Sequence, residues 1–307
     1  MIKYDKLKLV ADIEAVKITD ESRFEIIKKK GLITSRKYYQ ETPFLLRIKM
    51  DYKRGESVIE FSGKILGRDY PKLISSDTIK QCFENINTLD FCWVDTSMMM
   101  DADVVKCDVT RDKTLSDFKQ ATEYIRSHIC SYQKFICRKL QNGNVTIEKN
   151  VVSSKLKKRL TIYDKEQEMM RSENRSFCTK YGLEGTFQGL ARFELNLSCK
   201  EQIRMSLHIT DTKLTTVLDA DYDPINGFLK EAVEEPTSNV RITDKKSYLT
   251  MLVLKDCDYD LEKVEAKMRG FCPSRGTSIK KVMEPYKAMM EQIGVEARRK
   301  SRQKSKY

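Results

Sequence analysis

Apolar and polar positions alternate with a period of two along much of this chain, and that alternation predicts strands. Residues 1–13, beginning Met-Ile-Lys-Tyr-Asp-Lys-Leu, read as β-structure, as do residues 42–66. Within the latter, 44–50 and 57–62 flank a Lys53-Arg54-Gly55 turn, a hairpin pattern. Further strands are expected at 104–110, 144–149, 159–165 and 190–197, with a hairpin turn at Asn142-Gly143-Asn144 and a turn around 153–155. Helical spacing appears at 76–86 (Ser76 as N-cap), 117–126, 165–176, 200–209 and 211–218. Residues 220–240, with Pro224, Gly227, Pro236 and Ser238, read as a linker. Beyond it, three helices are expected at 245–255, 261–269 and 279–293, the second stopped by Gly270 and Pro273. Tight turns between them suit either a helix-turn-helix bundle or a helical lid on the sheet. The expected fold is α+β: a central antiparallel sheet with helices on one face in residues 1–220, a linker over 221–240, a helical C-terminal module over 241–295, and a basic tail over 296–307. No repeat of solenoid type is visible.

Two of these strands carry acids where apolar residues would be cheaper. Alternation puts Val105, Cys107 and Val109 on one face of their strand and Lys106, Asp108 and Thr110 on the other. It likewise opposes Phe193, Leu195 and Leu197 to Arg192, Glu194 and Asn196. A carboxylate in such a strand is costly to bury unless it is paired, hydrogen-bonded or metal-bound. If the strands are neighbours, Asp108 and Glu194 aim at one spot and repel unless a cation lies between them. Mg²⁺ or Mn²⁺ suits such oxygen ligands and would polarise a phosphodiester. A lysine or arginine on the sheet face would satisfy Glu194 equally well. Tyr163, followed by Asp164 and Lys165, sits on the strand between the two acids in sequence, where a phenol could act as a nucleophile or simply pack.

Composition narrows the setting. The chain has 307 residues and a net charge of +12, concentrated around Lys155, Lys157, Lys158 and Arg159 and again in the last ten residues. Such an excess favours a polyanionic partner. No run of about 18 apolar residues predicts a membrane span, and the N-terminus lacks an apolar signal core, so the expected location is cytoplasmic. The nine cysteines form no CxxC pair and read as free thiols. With only His128 and His208, histidine-based catalysis has little to work with.

Three short motifs then stand out in order: Lys106-Cys107-Asp108-Val109-Thr110, Leu160-Thr161-Ile162-Tyr163-Asp164-Lys165-Glu166, and Ala191-Arg192-Phe193-Glu194-Leu195. Their series resembles the replication initiators of rolling-circle plasmids and filamentous phages, of the gene II/X and staphylococcal plasmid Rep types. The resemblance spans roughly residues 45–290. It implies an enzyme that nicks one strand of an origin, stays on the 5′ end through a tyrosine and later rejoins the ends. It also implies a divalent metal, Mg or Mn, on Asp108 and Glu194; Tyr163, with Lys165, is the candidate for catalysis. Lys149, Lys155, Lys157, Lys158, Arg159 and Arg192 would contact DNA, single-stranded or cruciform. A host helicase and polymerase are candidate partners, and a homodimer is a candidate assembly. In one respect the chain departs from the pattern. Thr146-Ile147-Glu148 stands where the plasmid type carries its tyrosine, which leaves Tyr163 or Tyr132 as nucleophile. A DNA-binding initiator or repressor that kept the fold without the chemistry is the alternative.

Overall fold

A computed structural model describes residues 2–129, 135–140, 142–149, 151, 153, 157–233, 244–271 and 278–304, with side chains up to 293. At its middle lie two long strands, β1 (Lys3–Asp12) and β8 (Asp103–Thr114), paired antiparallel. Outward from β1 run β6 (Glu56–Ser62), β5 (Leu46–Asp51), β4 (Leu32–Gln40) and β3 (Glu25–Lys29). Outward from β8 run β12 (Leu190–Leu197), β11 (Arg159–Asp164), β10 (Val145–Lys149) and β9 (Phe135–Lys139). Among the described residues these ten strands form one antiparallel sheet, and Val16–Ile18 with Cys92–Val94 (β2 and β7) form a separate pair.

The strand order has an internal symmetry. In each half the first strand lies at the centre, the chain crosses to the far edge, and a four-strand meander returns to pair with it. The two halves are related by a pseudo-two-fold axis perpendicular to the sheet, at the β1–β8 seam. Centring the axis on the Lys6–Asp108 pair puts Glu60 and Glu194 in corresponding places. Glu60 lies opposite Lys8, two residues beyond Lys6, and Glu194 lies opposite Thr110, two residues beyond Asp108.

Alternation decides what each face does. One face is apolar, with Leu7, Leu9, Ile48, Ile59, Phe61, Cys107, Ile147, Leu160, Ile162 and Leu195 all buried. Helices cover it: α1 (Ile79–Asn87) through Cys82, Phe83 and Ile86, α6 (Lys200–Leu207) through Ile203 and Leu207, and α8 (Pro224–Val233) through Ile225, Phe228 and Ala232, with α2 (Thr96–Met100), α3 (Phe118–Ser127) and α7 (Leu214–Leu218) between them in chain order. Burying each such side chain is worth about 1.5–3 kcal/mol. The opposite face is polar. A small second core covers it at one end, where Tyr70 and Leu73 meet Met169, Phe177, Leu183 and Phe187. Those residues come from the 3-10 stretch Gly63–Lys72 with Leu73 capping it, the helices α4 (Lys165–Met169) and α5 (Ser172–Tyr181), and the loop before β12.

The large antiparallel sheet, the helices on its face and the later C-terminal helices match expectation, with local differences. Strands β3 and β4 and the short strand β9 were not anticipated. The helix expected over 165–176 is two, broken at Met170 and Arg171. Val105 is not a core residue: a register shift between the Lys8–Lys106 and Leu9–Val104 pairs buries Val104 and leaves Val105 half-exposed. His208 ends α6 in a left-handed conformation (φ 57°) and stacks on Tyr222, centroids 3.7 Å apart. Residues 224–233, expected within a linker, form α8: Pro224 opens its first turn, where a missing N–H costs nothing. Three C-terminal helices, Lys245–Asp256, Leu261–Arg269 and Ile279–Lys304, bury a core of their own with Met251, Leu254, Val264, Met283 and Ile293. The last helix runs on into the basic tail. No described helix is long and apolar enough to cross a membrane.

Candidate active site

The three motif strands are neighbours, in the order β8, β12, β11. Their register sets Asp108 opposite Asn196, Thr110 opposite Glu194, and Arg192 opposite both Asp112 and Tyr163. Alternation aims all of these side chains at the polar face, beside the small second core.

Glu194 accepts a hydrogen bond from the Tyr163 hydroxyl at 3.0 Å. Burial, with the nearby charges of Asp5 and Asp108, pushes the Glu194 carboxyl up to about 7, although Lys6 and the Tyr163 hydroxyl pull the other way. Asp108 is buried, with Lys6 Nζ 3.1 Å from one oxygen and the Asn196 amide donating to the other. The Lys6 ammonium is held above its usual range: burial disfavours it, but Asp108 and Glu194 outweigh that cost. Tyr163 is raised well above the ordinary phenol, first by burial and then by Glu194, against the pull of Arg192.

Arg192 anchors the other end. It is wholly buried and grips Asp112 with two donors, Nε at 2.7 Å and Nη2 at 2.8 Å. Its Nη1 reaches Asp5 at 2.6 Å and the Tyr70 hydroxyl at 2.8 Å. The expectation that Arg192 contacts DNA is therefore corrected: its donors are spent on protein acceptors in a site closed to phosphate. Asp5 would be raised by burial, but Arg192, Lys165 and Lys6 bring it below the usual carboxylate range. Lys165 is also buried, donating to the Tyr70 hydroxyl at 2.7 Å and to Glu168 at 2.5 Å. Burial and then Arg192 lower its pKa, against Glu168 and Asp5. Its Nζ lies 5.7 Å from the Tyr163 ring centre, which favours charge on that phenol.

The remaining sequence candidates lie farther along the sheet. Lys149 pairs with Glu231, and Lys158 is partly buried, its pKa lowered by burial and by Lys149 against Glu231. Arg159 pairs across the strands with Glu148 at 2.6 Å. Glu148 thus serves as a cross-strand ion-pair partner where the resemblance places a tyrosine. Lys157 is exposed, and its carbonyl accepts from Gln202. Lys155 and Tyr132 lie outside the described residues.

Asp5, Lys6, Tyr70, Asp112 and Asn196 complete the site and were not singled out from the sequence. Asp5 sits at a register shift between the Tyr4 and Lys6 pairings with β8. Strict alternation would point it at the apolar core; the bulge turns it onto the polar face. Asp112 lies on β8 beyond the strand expected over 104–110.

Among the described residues no group of three or more acids, histidines or cysteines is arranged to hold a metal ion. Asp108 and Glu194 nonetheless fit a partial oxygen site of the kind Mg²⁺ uses, one or two carboxylates completed by water and substrate phosphate. Lys6 supplies one positive charge beside the two acids, fewer than an ionised pair calls for. No protein-family model, no curated protein and no solved structure matches this chain.

Proposed function

We propose that this chain is a replication initiator that nicks and rejoins origin DNA through a tyrosine ester. One observation carries the reading: a phenol and a carboxylate titrating near 7 share a hydrogen bond on a polar sheet face, beside Asp108 and Lys6. Neutral phenol is a poor nucleophile, and a base with a pKa near the working pH is what it needs. In the nicking step Tyr163 Oη forms a bond to the scissile phosphorus and the P–O3′ bond breaks. Glu194 takes the phenolic proton, and the departing 3′ oxygen takes a proton from water. Rejoining reverses each transfer, with the 3′ hydroxyl attacking and Tyr163 leaving. Lys165, beside the ring, stabilises phenolate, and Lys6 holds Asp108 in place. Asp108, with Glu194 beside it, would hold a divalent cation, Mg²⁺ or Mn²⁺, supplying positive charge at the phosphoryl oxygens, and with it bound Glu194 would stay ionised, ready to take the phenolic proton.

The test is nicking of supercoiled DNA carrying the chain's own origin, with mapping of the DNA-linked peptide. Wild type should relax the DNA and leave a covalent adduct on the peptide containing Tyr163. Tyr163→Phe should lower nicking by at least about 10³-fold. An adduct on any other residue refutes the assignment, and wild type that never nicks refutes the enzyme. Asp108→Asn should remove metal-dependent nicking while DNA binding persists. The rival reading, a non-catalytic DNA-binding initiator or repressor, draws on two observations: the half-buried Tyr163 phenol, beside Glu194, is hard to ionise, and Glu148 is committed to Arg159.

A further inference from the structure

The part of the polar face around Lys8 of β1 and strands β6, β5 and β4 lies beyond the site above, and its chemistry differs. Glu60 corresponds to Glu194 about the pseudo-two-fold, and both lie between apolar neighbours, Glu60 buried and Glu194 half-buried. Glu194 receives a tyrosine hydroxyl. Glu60 is ringed by cations, with Lys106 at 3.4 Å, Arg47 at 3.6 Å and Lys8 at 3.7 Å. By the same correspondence Lys49 stands where Tyr163 stands, opposite Val58 as Tyr163 is opposite Arg192. This half thus has the shape of the candidate site without its nucleophile.

In the nucleophile's place it has charge. An open cleft of about 480 Å³ lies here, lined by five basic side chains and two acids. Glu60 neutralises only part of that excess. Next to Arg47 lies Tyr39, 56% exposed, with the guanidinium carbon 4.8 Å from its ring centre. Tyr39 is opposite Arg47 across the strands, so ring and cation are presented together. Cations interleaved with an exposed aromatic on an open sheet suit a single strand, whose phosphates meet the cations while a base stacks on the ring.

We propose that the N-terminal half of the polar face, centred on Arg47, Lys37, Lys8 and Tyr39, binds single-stranded nucleic acid. The choice of polyanion rests on the reading of the chain as a nucleic-acid enzyme. Arg47, Lys8 and Lys37 take backbone phosphates, and Tyr39 stacks on a base. Glu60 holds Arg47, Lys8 and Lys106 in place without cancelling them.

The test is fluorescence anisotropy with the full chain and a labelled single strand of about 20 nucleotides, in EDTA so that binding is read without chemistry. Lys37→Glu/Arg47→Glu should weaken binding at least tenfold. Removing two phosphate contacts should also flatten the plot of log K against log salt by about 1.4. Tyr39→Ala should weaken binding several-fold and leave that slope unchanged. Should the charge reversal disturb folding by circular dichroism, Lys37→Gln/Arg47→Gln carries the same test with a smaller loss. Variants that bind within twofold of wild type overturn the proposal. So does a duplex bound as tightly as the single strand, or vesicles of anionic lipid bound in its place. The outcomes separate the two readings. A chain that binds single strands through this face but nicks nothing loses only the enzyme assignment. One that nicks while these variants bind normally loses only this surface.

Discussion

Glu194 lies in a place that disfavours its charge, and that has a consequence for stability. Unfolded, a glutamate titrates near 4.3; folded, this one titrates at about 7. Between those values the folded protein holds the extra proton, so stability falls as pH rises and levels off above 7. Glu194→Gln removes this penalty. It should stabilise the fold at pH 8 by up to roughly 3 kcal/mol and do little at pH 4.5, as read from urea melts at the two values. A gain that is larger at low pH would refute the assignment. Arg192 is the opposite case. Its removal strands Asp5 and Asp112 without their cation, and Arg192→Ala should cost about 3–5 kcal/mol in the same melts. At this scale the sequence was half legible. Asp108 and Glu194 stood out because each interrupts an apolar strand. Asp5 did not, because a bulge at the start of β1 moves it off the face that alternation assigns, and Lys6 did not, because a lysine on the polar side of a strand is ordinary.

At the scale of elements, the small layer on the polar face depends on one glycine. Gly67 has φ 59° and ψ −117°, and a Cβ there would lie 2.7 Å from the Tyr181 ring. Gly67→Ala should therefore cost about 1–3 kcal/mol and loosen the Tyr70 end of the site; a neutral melt would contradict this. Strands with one wet and one dry face were readable from their alternation, β5, β6, β11 and β12 among them. Strands β3 and β4 were not: Ile26, Leu32 and Ile33 are exposed while Ser35 is buried, so the outer part of the sheet hides its period. The Gly143 turn was readable because it requires φ of 82°, which few other residues adopt. The break between α4 and α5 had no such signal. Asn174 makes it, reaching back to the Glu168 carbonyl at 2.8 Å and its carboxylate at 2.7 Å.

For the whole molecule, the β1–β8 seam joins two similar five-stranded units, and the C-terminal helices bury a separate core. Amide exchange should be slowest in β1, β8 and β12, and faster in both β3 and the C-terminal helices; uniform protection across the chain would contradict that order. The units themselves were invisible in the sequence, since they share topology but few side chains: Val58-Ile59-Glu60-Phe61 against Arg192-Phe193-Glu194-Leu195. The pseudo-two-fold bears on direction. Rotating half a turn about an axis normal to the sheet reverses every strand, so a nucleic acid laid across both units would run 5′ to 3′ through one and 3′ to 5′ through its counterpart. Breaking a chosen P–O bond depends on that direction, whereas neutralising a phosphate does not. A strand spanning the seam would therefore find the chemistry usable in only one unit, and for the other, grip without direction is the role left open by the geometry.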